Sequence, residues 1–108
     1  ILAKAGELYM LQERYTDAVT MYDKAAELYA GLFGKEDEKY CDMVINGCNA
    51  LIKDEKYNEA AQRIENADSF CGREEEFKRL LTSAYKSMGA FGKLVKLKMA
   101  KNMGKSKK

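Results

Sequence analysis

The sequence predicts an all-α fold of about three antiparallel helix pairs stacked on one another, and three observations carry that prediction. Apolar residues recur at three- and four-residue steps along most of the chain, without the sustained alternation of a half-buried strand. Proline is absent from all 108 residues while Ala, Leu, Lys, Glu and Met are abundant. Long helices tolerate that composition and turn-rich β folds do not. One segment is also written twice: Tyr15, Ala18, Tyr22 and Ala25 are answered, at one constant interval, by Tyr57, Ala60, Ile64 and Ala67.

The periodicity places helices at about 1–13, 16–31, 37–53, 57–70, 74–88 and 91–103. The first ends in the polar stretch QERYTD, where Thr16 is a candidate N-cap for the second. GLFGKEDEKY then supplies two glycines followed by Glu36, Asp37 and Glu38, acids suited to the positive N-terminal end of the third helix. FCGREEEF repeats the device, with Gly72 as a candidate C-terminal cap of the fourth helix and Glu74 to Glu76 opening the fifth. SMGAFG separates the last pair. Connections this short imply antiparallel neighbours. Within the second helix Ala18, Tyr22, Ala25 and Tyr29 form one stripe; Ala60, Ile64, Ala67 and Cys71 form its counterpart in the fourth. Alanines on such a stripe admit a close partner helix while the larger residues fill the gaps between. A lone pair cannot bury both of its faces, so each unit must lean on the next.

A chain of this length is expected to make one domain, over residues 1–103, with units at about 1–33, 37–71 and 74–103 and a basic tail at 104–108. It opens on Ile1 and is at once in pattern, so it reads as a piece of a longer protein. It holds no apolar run of about 20 residues and no basic lead with an apolar core, so neither a membrane span nor a signal peptide is expected. Cys41, Cys48 and Cys71 show no CxxC spacing, and Cys41 and Cys48 stand roughly 10 Å apart along one helix, beyond disulfide reach. An odd count without a framework reads as reduced thiols in a cytoplasmic or nuclear setting. Histidine is absent, which removes the commonest general base and the commonest zinc partner of cysteine. The chain is therefore expected to be non-catalytic, with no cofactor, metal or small-molecule substrate.

These residues resemble the tetratricopeptide repeat over about residues 1–97. Ala5, Gly6 and Tyr9 match the family's small–Gly–x–x–Tyr step, and Tyr15, Ala18, Tyr22 and Ala25 match its second helix. VINGCNALIKDEKYNEAAQRIENA gives the second unit, with Gly47-Cys48 and Leu51. Tyr85, Gly89 and Phe91 open a third, Phe91 following Tyr57 at the family's usual repeat length. The longer interval from Tyr15 to Tyr57, with the link LFGKEDEKY, is similar to the lengthened repeats of kinesin light chains and more distantly to soluble SNAP-type adaptors. The chain differs from the former in lacking His-Pro in the link and in having one Asn, Asn46, where two are typical. The resemblance implies a right-handed solenoid whose first helices line a concave groove for a partner's peptide or helix. Carried over position by position, that groove comprises Lys4, Glu7 and Leu11, then Asp42, Ile45, Asn46, Asn49 and Lys53, then Arg79, Ser83 and Lys86. Asn46 falls where family members clamp a ligand backbone, which suits an amide that both donates and accepts. The implied function is a protein-interaction scaffold or adaptor within a larger multiprotein assembly.

The C-terminal stretch KLVKLKMAKNMGKSKK holds Lys93, Lys96, Lys98, Lys101, Lys105, Lys107 and Lys108 and no acid. The rest of the chain carries more acidic than basic groups, so the whole basic excess lies at this end. The stripe becomes Leu94, Lys98, Lys101, as befits a polar terminal cap on which nothing stacks. The alternative function is electrostatic contact of this patch with an acidic partner, RNA or another nucleic acid, or an anionic membrane surface.

Overall fold

The computed structural model describes residues 2–67 and 70–89. Over them the chain forms five helices and no strand: α1 (Leu2–Leu11), α2 (Tyr15–Phe33), α3 (Glu38–Lys53), α4 (Tyr57–Glu65) and α5 (Glu74–Met88). The expected sixth helix at 91–103 and the basic patch at Lys93 to Lys108 lie outside the described residues. Consecutive helices pack on one another, and α3 packs on α5 as well.

The first two units turn in the same way. Glu13 and Glu55, at φ 60° and 62°, each occupy the left-handed region just past the first helix of their unit. Glu13 N–H donates to Met10 O and Glu55 N–H to Ile52 O, both at 3.0 Å; Arg14 N–H donates to Tyr9 O and Lys56 N–H to Leu51 O, both at 2.8 Å. These are the closing bonds of a helix ended by one left-handed residue. Gly89 closes α5 in the same region of backbone space, at φ 71°, its N–H bonded to Lys86 O. The doubled sequence is thus a doubled backbone conformation.

The alanine stripes are buried as expected: Ala18 and Ala60 are both 0% exposed. One apolar cluster joins Ala18, Val19, Tyr22 and Ala25 of α2 to Met43, Ala50 and Leu51 of α3 and Ala60 of α4. A second joins Cys41, Ile45 and Cys48 of α3 to Ala61 and Ile64 of α4 and to Phe77, Leu81, Ala84 and Tyr85 of α5. α3 serves both clusters, with buried residues on two of its sides, so it is the central rod. Burial of Ile64 and Phe77 contributes about 2–3 kcal/mol apiece.

Gly6 has a steric reason. A Cβ built there would meet Tyr22 Cε1 at 2.7 Å and Cζ at 2.8 Å, so the absent side chain is what lets α1 lie against the ring. At Gly47 the nearest atoms, Asp23 Oδ1 and Tyr22 Cβ, stand 3.8 Å away, an ordinary contact.

Four sequence expectations need correction. Thr16 is not an N-cap: α2 begins after Arg14, which makes no side-chain cap bond, and Thr16 sits in the first turn, its carbonyl accepting from Thr20 Oγ1. Asp37 is the acid that caps, accepting from Lys39 N–H at 2.9 Å, with Glu38 inside the first turn. α4 ends at Glu65 with Asn66 as its cap, not at residue 70, so Ala67 and Cys71 leave the helical stripe and Gly72 caps nothing. The reason is covalent: Cys71 turns back and forms a disulfide with Cys41, Cα to Cα 6.5 Å. The cysteines are therefore not three reduced thiols; Cys48 alone is free, and it is buried.

Candidate functional site

On α3, Asp42, Asn46, Asn49 and Lys53 recur at steps of four, three and four and form one stripe. The first three are half-buried and Lys53 is exposed, making this the least covered face of the helix. Ile45 does not belong to it. At 4% exposure it packs among Cys41, Cys48 and Phe77, because one step along the helix rotates it into the core, and so it cannot touch a ligand.

Arg79, Ser83 and Lys86 of α5 lie opposite that helix's buried Phe77, Leu81, Ala84 and Tyr85. α5 meets α3 through those buried residues, so Arg79, Ser83 and Lys86 face away from that contact. Lys4, Glu7 and Leu11 are exposed on α1, which packs on α2, and Leu11 is 82% exposed. Lys4, Lys53, Arg79 and Lys86 have no ion-pair or hydrogen-bond partner among the described residues. Glu7 likewise has no such partner among the described residues, so the unpaired charged groups of the set are four cations and one anion.

Asp42 is already occupied. Arg73, in the turn before α5, binds Asp42 and also Glu76, the latter at 2.9 Å. The hydrogen bond to Asp42, then that to Glu76, hold the guanidinium more firmly charged than usual. No sequence signal linked Arg73 to Asp42, since the contact depends on how the α4–α5 turn folds back.

A second polar cluster was missed. Arg63 of α4 donates to both carboxylate oxygens of Asp23 on α2, at 2.6 and 3.1 Å, and lies 3.4 Å from Glu59. The Asp23 hydrogen bond raises the Arg63 pKa against the opposing effect of burial. Asp23 adjoins Tyr22 and Arg63 adjoins Ile64, the large members of the two matched stripes, but nothing in the sequence pairs the two. The pair borders an open cleft of about 400 Å³ lined also by Ala26, Tyr40, Val44 and Asn66. A shallower groove of about 520 Å³ runs along α2 beside Leu2, Lys24, Leu28 and Leu32. None of the expected groove residues lines either cleft. The described residues hold no group of three or more cysteine, aspartate or glutamate side chains placed to bind a metal ion. Burial pushes the Cys48 thiol up to about 11, with Arg63 acting in the opposite direction.

Comparisons with protein-family models, with curated proteins and with solved structures find no match to this chain. What the fold defines is an all-helical protein of packed helix pairs with a polar face on α3 and α5. No described helix is long and apolar enough to cross a membrane.

Proposed function

We propose that this chain is a non-catalytic interaction scaffold of the tetratricopeptide type, its helix pairs stacked as a right-handed solenoid. In this reading it holds a partner's peptide or helix against α3 and α5, with α1 extending the surface. The observation that carries the reading is the left-handed turn that recurs at Glu13, Glu55 and Gly89, once after the first helix of each unit. A backbone that repeats itself with alanine seams is built to stack, and stacking leaves the outward faces of the first helices for recognition. Asn46 and Asn49 supply amides that donate and accept, Lys53 supplies unpaired positive charge on the same stripe, and Arg79 and Lys86 supply more on α5. Such a face suits a segment with free backbone groups and acidic side chains. A cytoplasmic setting belongs to the same proposal, and there the Cys41–Cys71 bond has to be cycled rather than permanent.

The experiment is copurification of partners with the full chain, identification by mass spectrometry, and titration of the recovered segment against variants. Asn46→Ala, Lys53→Glu and Arg79→Glu together are expected to weaken binding at least about tenfold, with circular dichroism unchanged. Binding that survives all three substitutions overturns the reading. Binding lost only on removing residues 93–108 assigns recognition to the lysine-rich end instead, with steep salt dependence as its mark.

A further inference from the structure

We propose that the Cys41–Cys71 disulfide is a redox-reversible strap: reduction by a dithiol frees the segment 70–73 from α3 while the helical core stays folded. The two sulfurs sit in unlike places. Cys41 is wholly enclosed in the first turns of α3, whereas Cys71 is partly exposed in a turn. Cys71 has φ 52° and is followed by Gly72 at φ 74°. A left-handed backbone is one that a cysteine rarely adopts, and release allows Cys71 to leave it.

The chemistry balances with a dithiol as the reductant. Its thiolate attacks the accessible Cys71 Sγ, the S–S bond breaks, and the electron pair departs on Cys41 Sγ, which takes up a proton. The second thiolate of the dithiol then displaces Cys71 Sγ, which takes up another proton, and the reductant leaves as a disulfide. The remaining thiol of the chain does not compete: Cys48 is buried some two turns, roughly 10 Å, along α3 and stays protonated at neutral pH.

The core does not depend on the bond. Once reduced, Cys41 remains a small apolar residue among Ile45, Cys48, Ile64, Phe77 and Leu81, which already form a closed cluster. What loosens is local. Phe70 lies against Phe77 with ring centroids 4.8 Å apart, Arg73 N–H donates to Phe70 O at 2.8 Å, and Arg73 covers Asp42. Freeing Cys71 slackens the hold on Arg73 just beyond it, and with it the neutralisation of the acid at the head of the α3 stripe. Redox state would then reset the charge of the proposed recognition face, although the strap itself stands whether or not that face binds anything.

The test is hydrogen exchange on the full chain with and without dithiothreitol, with intact mass reporting the gain of two hydrogens. Amides of 70–77 are expected to exchange about tenfold faster on reduction, those of α2 and the α1–α2 turn to stay unchanged, and re-oxidation to reverse the effect. Cys71→Ser should show the fast pattern with or without reductant, and Cys48→Ala should respond as the unaltered chain does. Unchanged exchange at 70–77 overturns the proposal, as does unfolding throughout the chain or three titratable thiols in the folded protein before any reductant is added. None of these readouts involves a partner, so a failed scaffold reading leaves the test intact.

Discussion

Replacing Gly6 with alanine tests the α1–α2 contact most directly. The new methyl would lie 2.7 Å from Tyr22 Cε1 and 2.8 Å from Cζ, where carbon atoms settle at about 3.5–4.0 Å, so it must displace something by close to 1 Å. The ring cannot swing away freely, because Tyr22 is 4% exposed and packed among α2, α3 and α4 residues. Overpacking of this kind costs about 1–3 kcal/mol, against which alanine returns up to about 1 kcal/mol of helix propensity. Gly47→Ala is the internal control, since its methyl meets nothing closer than 3.8 Å and should keep the propensity gain. The two variants should therefore differ by about 2 kcal/mol, or roughly 10 °C in Tm for a domain of this size. Urea titration and thermal melts followed by circular dichroism measure both. Shortening the ring in the double variant Gly6→Ala/Tyr22→Leu should recover part of the Gly6→Ala loss, a coupling expected only of residues in contact. If Gly6→Ala and Gly47→Ala prove equally stable, the reasoning about close approach is wrong.

Two further outcomes follow from the same geometry. Glu13→Gly and Glu55→Gly should each stabilise the fold by about 0.5–1 kcal/mol, because glycine enters the left-handed region without the penalty of a side chain; a loss in urea midpoint for both would contradict the turn assignment. The Cys48 thiol, ordinarily at 9.0, is raised to about 11 by burial, so the folded state holds its proton more tightly than the unfolded one. Its contribution is complete below pH 9 and declines at about 1.4 kcal/mol per pH unit between 9 and 11. The stability difference between the unaltered chain and Cys48→Ala should shrink across that window, and a constant difference would mean that the thiol is not shielded.

Much of the fold was legible because it is local. The stripe Ala18–Tyr22–Ala25 and its copy at 60–64 follow from helical period alone, and α5 emerges with its expected bounds because three acids open it and a glycine closes it. The residues Asp42, Asn46, Asn49 and Lys53 were named through the family resemblance rather than by period, and the same resemblance included Ile45, which a helix buried on two sides turns into the core. The end of α4 was also missed, since nothing near Ala67 announces that Cys71 will be drawn to the distant Cys41. Arg73 on Asp42 and Arg63 on Asp23 share that origin.

Taken alone, the order of residues determined that the chain would be helical, where most of its turns would fall and that Ala18, Ala25 and Ala60 would be covered, since each depends on neighbours within a turn or two. Only the folded arrangement decided which thiols meet, which carboxylates are neutralised and which lysines remain unpaired. Those outcomes depend on distances between helices, and no periodicity along one helix encodes them.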